Sequence, residues 1–384
     1  MGRRNRAVEG VVVSESLHTL FGGAYAGKRV LVTGHTGFKG SWLSVMLTEM
    51  GAEVFGLALA PYTERDLFVS AGVERLLAGH AICDVRDIHG VTAAVHVARP
   101  DIVFHLAAQP LVRYSYECPA ETYDVNVVGT ANVLDSVRLH AAFAPTVVIT
   151  SDKCYRNDER LDPYAEDAPL GGHDPYSSSK ACQELLSAAY RDSYWVPEGR
   201  AWALKTVRAG NVIGGGDWAA DRIIPDAVKA LLACEDIGVR NPASVRPWQH
   251  VLEPLGGYLA LGARMLSGAE SLSGAYNFGP SPESHLTVGE LMDEFVDVWG
   301  SGAWRHTPQP GAVHEASLLA LDATRAQREL GWAPVLGARD AVRMSAEWYR
   351  AQASGVDMLG VTREQIDRYA ADATAVWRLT GEGA

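Results

Sequence analysis

Lys28-Arg29-Val30-Leu31-Val32-Thr33 has the make-up of a buried parallel strand, and it runs without a break into Gly34-His35-Thr36-Gly37-Phe38-Lys39-Gly40. An amphipathic segment follows, Ser41 to Met50, carrying Trp42, Leu43, Val45, Met46 and Leu47. Strand, glycine turn and helix in immediate succession is the context that a phosphate-binding fingerprint requires. Small residues let the backbone approach a pyrophosphate, and the helix start offers N–H groups and a partial positive charge. Glycines also serve tight strand–helix turns for steric reasons alone. The flanking strand and helix favour the dinucleotide, and the spacing G-x-x-G-x-x-G points to one branch of nicotinamide enzymes.

Further strands support a doubly wound parallel sheet. Glu53-Val54-Phe55-Gly56-Leu57-Ala58-Leu59 ends at Ala60-Pro61 with no acidic residue for an adenosine ribose, so that bond comes from elsewhere or is absent. No arginine stands there for a 2′-phosphate either, Arg65 being five residues on, and NAD is expected over NADP. Ala81 to Asp87 resembles a third strand tip, where Asp84 could accept from an adenine amino group; Asp87 could equally cap the next helix. Asp101 to Gln109 is a fourth strand opening into a small-residue turn, and His105 within it reads as a packed core residue. A long helix is expected over about 120–139, enclosing Asn126 and Asn132, then a fifth strand at Thr146–Thr150. A sixth, Trp202 to Arg208, leads into Ala209-Gly210-Asn211-Val212-Ile213-Gly214-Gly215-Gly216-Asp217-Trp218.

Two polar clusters fall where such a sheet binds ligands, beyond the carboxyl ends of strands. The fifth strand ends at Ser151-Asp152-Lys153-Cys154-Tyr155. An Asp-Lys pair on a loop is usually a solvated ion pair, but this one precedes Asp174-Pro175-Tyr176-Ser177-Ser178-Ser179-Lys180. Tyr176 and Lys180 are four apart at the start of a helix-favouring segment and share a face. A free tyrosine, with a pKa of about 10, is a poor base, and an ammonium within reach favours its phenolate. Alone, the pair could be two exposed residues on an ordinary helix. Ser177-x-x-Lys180 as a hydrolase nucleophile lacks its companion motifs. Past residue 210 the alternation loosens, and residues 217–253 and 270–320 are expected to form a smaller lobe closing over the cleft. Arg222, Arg240 and Arg246-Pro247-Trp248 there suit a diphosphate and a base, or are a surface arginine set with a core tryptophan.

Composition narrows the partners. The 384 residues carry a net charge of −12, against a general nucleic-acid or membrane binder. An anionic substrate therefore needs local arginines. Cys83, Cys118, Cys154, Cys182 and Cys234 are scattered, odd in number and without Cys-x-x-Cys spacing, so no disulfide framework or zinc site is expected. No apolar run approaches about 18 residues. Residues 1–20 are expected to be a disordered extension of a cytoplasmic protein, 21–210 the dinucleotide domain with the catalytic residues, and 211–384 mainly a nucleotide-sugar lobe with segments returning to the first domain.

The chain resembles the extended short-chain dehydrogenase/reductases, and within them the CDP-glucose 4,6-dehydratase family. The stretches that carry this are VLVTGHTGFKGSWL (30–43), FHLAAQPLVRYSY (104–116), TSDKCY (150–155), DPYSSSK (174–180), RAGNVIGGGDWAADRIIPD (208–226), RPWQHVLEPLGGY (246–258), NFGP (277–280) and HEA (314–316). The glycine motif and Tyr-x-x-x-Lys mark only the superfamily; TSDKCY, GNVIGGGDW and RPWQHV are far more specific. HEASLLALD (314–322) departs from the family, which usually carries a larger or more polar residue near Ser317 and a lysine near Ala320. The resemblance implies a Rossmann sheet with a smaller C-terminal α/β substrate-binding lobe, NAD, a nucleotide-sugar substrate and a homodimer or homotetramer. It implies catalysis by Ser151, Asp152, Lys153, Tyr176 and Lys180. It assigns cofactor contacts to Gly34, Thr36, Gly37, Phe38, Lys39, Gly40, Asp84, Val85, Leu106, Ala107, Ala108, Thr150, Tyr176 and Lys180. Substrate contacts fall to Gln109, Asn211, Arg222, Arg246, His314 and Glu315. An epimerase or decarboxylase of the same superfamily, or a regulator that binds a dinucleotide without turnover, are the rival readings.

Overall fold

The computed structural model describes residues 14–158, 160, 162–308 and 319–377. Seven strands, β1 (Arg29–Thr33), β2 (Glu53–Ala58), β3 (Gly79–Ile82), β4 (Ile102–His105), β5 (Thr146–Ile149), β6 (Leu204–Arg208) and β7 (Ala275–Asn277), form the central sheet. Their order is β7-β6-β5-β4-β1-β2-β3, and every pairing is parallel. The central strands are continuous apolar runs because helices cover both faces. Val30, Val32, Ile102 and Phe104 pack to one side with Trp42, Leu259 and Ile366, while Leu31 and Val103 pack to the other with Val91, Val95, Val133 and Val137. The strand order reverses between β1 and β4, which opens a crevice at their carboxyl ends.

The helix expected over 120–139 is three pieces in succession: Pro119–Tyr123, a wider π-turn at Asp124–Val128, and Gly129–His140. Asn126 sits in the π-turn, fully buried, its amide bonded to both backbone groups of Gln109 and to Ser179 Oγ at 2.8 Å. π-Turns of this kind recur where a side chain must be aimed inward.

Residues 14–20 correct the expected disordered extension. Ser14 caps a helix at Glu15–Leu20, Leu17 and Leu20 are buried, and Ser14 Oγ donates to Asp367 Oδ1 at 2.5 Å. The apolar side of this short helix covers the long helix Met358–Val376, so burial orders it. Residues 1–13 lie outside the described residues.

Chain beyond residue 210 returns to the sheet through β7 and through the helices Leu252–Leu266 and Met358–Val376. Between these returns lie three two-stranded pairs: Val212–Ile213 with Gln249–His250, Val245–Pro247 with His285–Thr287, and Ile237–Val239 with Trp304–His306. The first two contribute Val212, Ile213 and Arg246 to one cavity. All five cysteines are free thiols. Among the described residues, no helix is long and apolar enough to cross a membrane.

Candidate active site

The glycine turn packs tightly onto the floor of the crevice. Gly34 has φ +77°, and a Cβ there would press on Ala107 N at 2.8 Å and the Leu106 carbonyl carbon at 3.0 Å. Gly40 has the same need, because any side chain would overlap Gly34 O. The helix Phe38–Glu49 starts at Gly37 with no side chain capping it, which leaves first-turn N–H groups for a ligand. This is a cradle that fits a dinucleotide pyrophosphate. Leu106, Ala107 and Ala108 line it, half-buried, with Ala107 N donating to Thr33 Oγ1 at 3.2 Å. His105 is the packed residue expected: Nδ1 pairs with Thr33 Oγ1 at 2.7 Å, Nε2 with Thr130 Oγ1 at 2.9 Å, and burial, then Lys180, push it down to about 3. Thr36 Oγ1 donates to Leu59 O at 2.8 Å.

Toward the adenosine end, Asp84 is gripped by the Arg86 guanidinium at 2.7–3.1 Å, which holds its carboxyl below the usual range. Val85 is buried against Gly129. Asp87 caps the helix Ile88–Ala98, accepting from His89 N at 3.0 Å. Arg65 stacks over Trp218, 5.2 Å from its ring centre.

Asp174 caps the helix Pro175–Tyr190, accepting from Ser177 N at 2.9 Å, with Pro175 in the first turn, where its missing N–H costs nothing. Tyr176 and Lys180 are both buried, the ammonium 6.0 Å from the phenol ring centre. The structure does not show the expected lowering of Tyr176 by Lys180. Burial pushes Tyr176 up to about 12, against the lowering pull of the nearby Ser151 hydroxyl, and Asp152 adds to the rise. Burial, then Lys39, push Lys180 down to about 7. Desolvation is the largest cause of both shifts.

Ser151 caps a single 3₁₀ turn, Asp152–Cys154. Its hydroxyl donates to Asp152 Oδ1 at 2.9 Å and accepts from Lys153 N at 3.3 Å. Asp152 is buried and lies so close to Gly210 that any side chain at 210 would overlap its carboxylate. Lys153 is half-buried, and among the described residues no carboxylate is within 4 Å of it. The pair is therefore not the solvated surface ion pair that a loop Asp-Lys usually makes.

Two residues expected to contact ligands have their side chains bonded within the protein. Thr150 Oγ1 donates to Glu184 Oε1 at 2.5 Å and to Val207 O at 3.1 Å, so its hydroxyl is tied to the sheet. Gln109, expected on the substrate, is buried, its amide donating to Thr122 Oγ1 at 2.9 Å and accepting from Leu111 N at 2.5 Å. Both turn inward because the strand ends leave backbone and hydroxyl groups that must be satisfied.

Arg222 and Arg246 do converge. Both line one cavity with Gly214, Asp217, Arg240, Asn241, Ser244 and Trp248. Arg222 Nε lies 3.4 Å from Asp217, and Trp248 Nε1 donates to Leu286 O at 3.2 Å. Asn211 has φ +50° beside this cavity, its carbonyl accepting from Gln249 N at 3.2 Å. His314 and Glu315 lie outside the described residues. Glu184, Arg208 and Tyr258, all buried around the catalytic turn, were not singled out from the sequence. The i, i+4 spacing of Glu184 from Lys180 was the available signal.

A cleft offering uncapped N–H groups to a pyrophosphate and a buried Tyr–Lys pair to a hydroxyl defines a class, the extended short-chain dehydrogenase/reductases. Within it the chain belongs to the GDP-mannose 4,6 dehydratase family, whose model matches residues 31–258. It is 46% identical over 348 residues, 90% of this chain and 97% of the relative, to the CDP-glucose 4,6-dehydratase of Salmonella typhimurium. To the dTDP-glucose 4,6-dehydratase of Streptomyces griseus it is 29% identical, over 67% of this chain and 74% of the relative. Among solved structures, a dTDP-glucose 4,6-dehydratase from Streptomyces venezuelae with NAD and TYD bound superposes with TM-score 0.70 at 25% identity, over 86% of this chain and 99% of that one. A UDP-glucose-4-epimerase from Stenotrophomonas maltophila with bound NAD gives TM-score 0.73 at 24% identity, over 86% and 100%, a likeness of fold.

Proposed function

We propose that the protein is an NAD-dependent CDP-glucose 4,6-dehydratase, a hydro-lyase that converts CDP-glucose to CDP-4-keto-6-deoxyglucose. The observation that carries this reading is the turn Ser151-Asp152-Lys153, which sets a buried Asp152 beside Tyr176 and the half-buried Lys153 next to it in the chain. Plain C4 epimerisation has no use for an acid at C6. The close relative supports the choice of nucleotide and hexose.

Tyr176 as phenolate takes the proton of the glucose 4-hydroxyl, and Ser151 hydrogen-bonds the C4 oxygen. NAD, which the glycine turn 34–40 would hold, would supply the hydride acceptor for C4 and the hydride donor for C6. The 4-ketone acidifies the C5 hydrogen, which Lys153, as free amine, removes. Asp152, as free acid, protonates the 6-hydroxyl, which leaves as water. Lys153 then returns a proton to C5. The charge of Lys180 supports the phenolate; with burial pushing its pKa down to about 7, that support fades as pH rises through this value. Helices near 120–140 and 176–194 expose Val128, Leu139, Leu185 and Tyr194, which supports assembly as a homodimer or homotetramer.

Incubation with CDP-glucose and NAD should yield the alkali-induced absorbance of a 4-keto-6-deoxy sugar. Recovery of an epimer without that absorbance would overturn the reading.

A further inference from the structure

Lys39 belongs to the glycine turn, where the motif expects it to serve the dinucleotide. Its surroundings lie toward the other ligand. A side chain at Gly214, which lines the arginine cavity, would meet the Phe38 ring at 3.1 Å, and Trp42 Nε1 donates to Gly215 O at 2.9 Å. The first turn of this helix thus packs behind the Gly214 segment that lines that cavity. The Lys39 ammonium lies 6.0 Å from the centre of the Tyr258 ring and is partly exposed in the cleft. Arg222 and Asp217 face it from the loop after β6, Asp152 from the catalytic turn, and Lys180 from the Tyr–Lys helix. Among the described residues it makes no hydrogen bond and has no carboxylate within 4 Å. The Tyr258 hydroxyl is also buried without a partner. A cation partly withdrawn from water without a close counter-ion is costly. Burial, then Arg222, push Lys39 down to about 8.

We propose that Lys39 binds the sugar-proximal phosphate of the nucleotide sugar, linking the arginine cavity to the catalytic residues. This rests on the nucleotide-sugar reading above. A diphosphate could also come from the dinucleotide itself, but Arg222 and Asp217 beside Lys39 both line the cavity that holds Arg240 and Arg246, which favours the substrate. Bound anion supplies the missing partner, and Lys39 is then held charged.

The test is calorimetric titration of the NAD-loaded protein with CDP, and fluorescence titration of the NAD-stripped protein with NAD. Lys39→Met should weaken CDP on the order of tenfold or more while NAD changes less than about threefold. Lys39→Arg should restore most of the CDP affinity and remove its decline above about pH 8. Weakened NAD with unchanged CDP would assign Lys39 to the cofactor, and no change in either would dismiss it as a ligand. Loss of both that arginine fails to restore would mark Lys39 as packing for the turn, which also overturns the proposal. Failure of the unaltered protein to bind CDP would sink the underlying function instead.

Discussion

Glu184 lies one turn beyond Lys180 on the same helix and meets Arg208 of β6 at 2.7 Å, both side chains almost wholly buried. The carboxylate also accepts from Thr150 Oγ1 at 2.5 Å and Thr206 Oγ1 at 2.7 Å. Arg208 donates onward to Tyr155 OH at 2.7 Å, and Tyr155 donates to Asn277 Oδ1 at 2.7 Å. The catalytic turn 151–154 is thus clamped at both ends, by Thr150 and by Tyr155. Removing one member of such a pair leaves a buried charge alone. Glu184→Ala should lower unfolding free energy by about 3–5 kcal/mol in denaturant titration, and Glu184→Gln by less. Equal, small losses would mean that Arg208 finds another partner.

Gly210→Ala should displace Asp152, since even a Cβ overlaps its carboxylate. Turnover should fall on the order of a hundredfold, the scale of a misplacement of about 1 Å. NAD affinity should hold, because the glycine turn is untouched. Preserved turnover would show that Asp152 tolerates another position.

Glu253 gives a stability prediction with a definite sign. Its Oε1 accepts from Val335 N at 2.9 Å and Leu336 N at 2.6 Å, while Oε2 is buried without a partner. Burial raises its pKa from 4.5 to about 8. The fold therefore holds the proton more tightly than the unfolded chain does. That contribution is complete below about pH 4.5 and is lost as pH rises to about 8. Glu253→Gln keeps the accepting oxygen and removes the titration, so its Tm gain over the parent should grow from pH 5 to pH 8. A constant difference across that range would contradict a protonated Glu253.

NADP⁺ should bind at least about tenfold more weakly than NAD⁺. After β2 there is no basic residue, and Arg65 is held over Trp218. Equal affinities in a titration would show that Arg65 leaves the indole to meet a 2′-phosphate.

What was legible in the sequence is what local chemistry determines. β1, the turn from Gly34 and the helix at Phe38 are contiguous, and Tyr176 with Lys180 share a helix face, so short-range spacing reveals them. Residues whose partners are distant were not legible. Gln109 turns inward to Asn126 and Thr122, Thr150 is spent on Glu184, and β7 joins the sheet with three residues only. The Tyr–Lys pairing could be read from spacing, whereas the burial that shifts both groups could not. Leu17 and Leu20 likewise have their partners more than three hundred residues away, on the helix Met358–Val376, so the order of residues 14–20 escaped a local reading.

The central claim is that Lys153 acts at the elimination and not at the oxidation. The measurement is a single turnover of CDP-glucose in D₂O by the Lys153→Met variant and its parent, following bound reduced-cofactor absorbance and product mass together. The parent should release a sugar nucleotide lighter by one water and carrying deuterium at C5. The variant should accumulate the reduced-cofactor signal and release almost no such product, with no deuterium at C5. A variant that binds CDP-glucose normally but shows no reduced-cofactor signal would place Lys153 in the oxidation, contradicting the account.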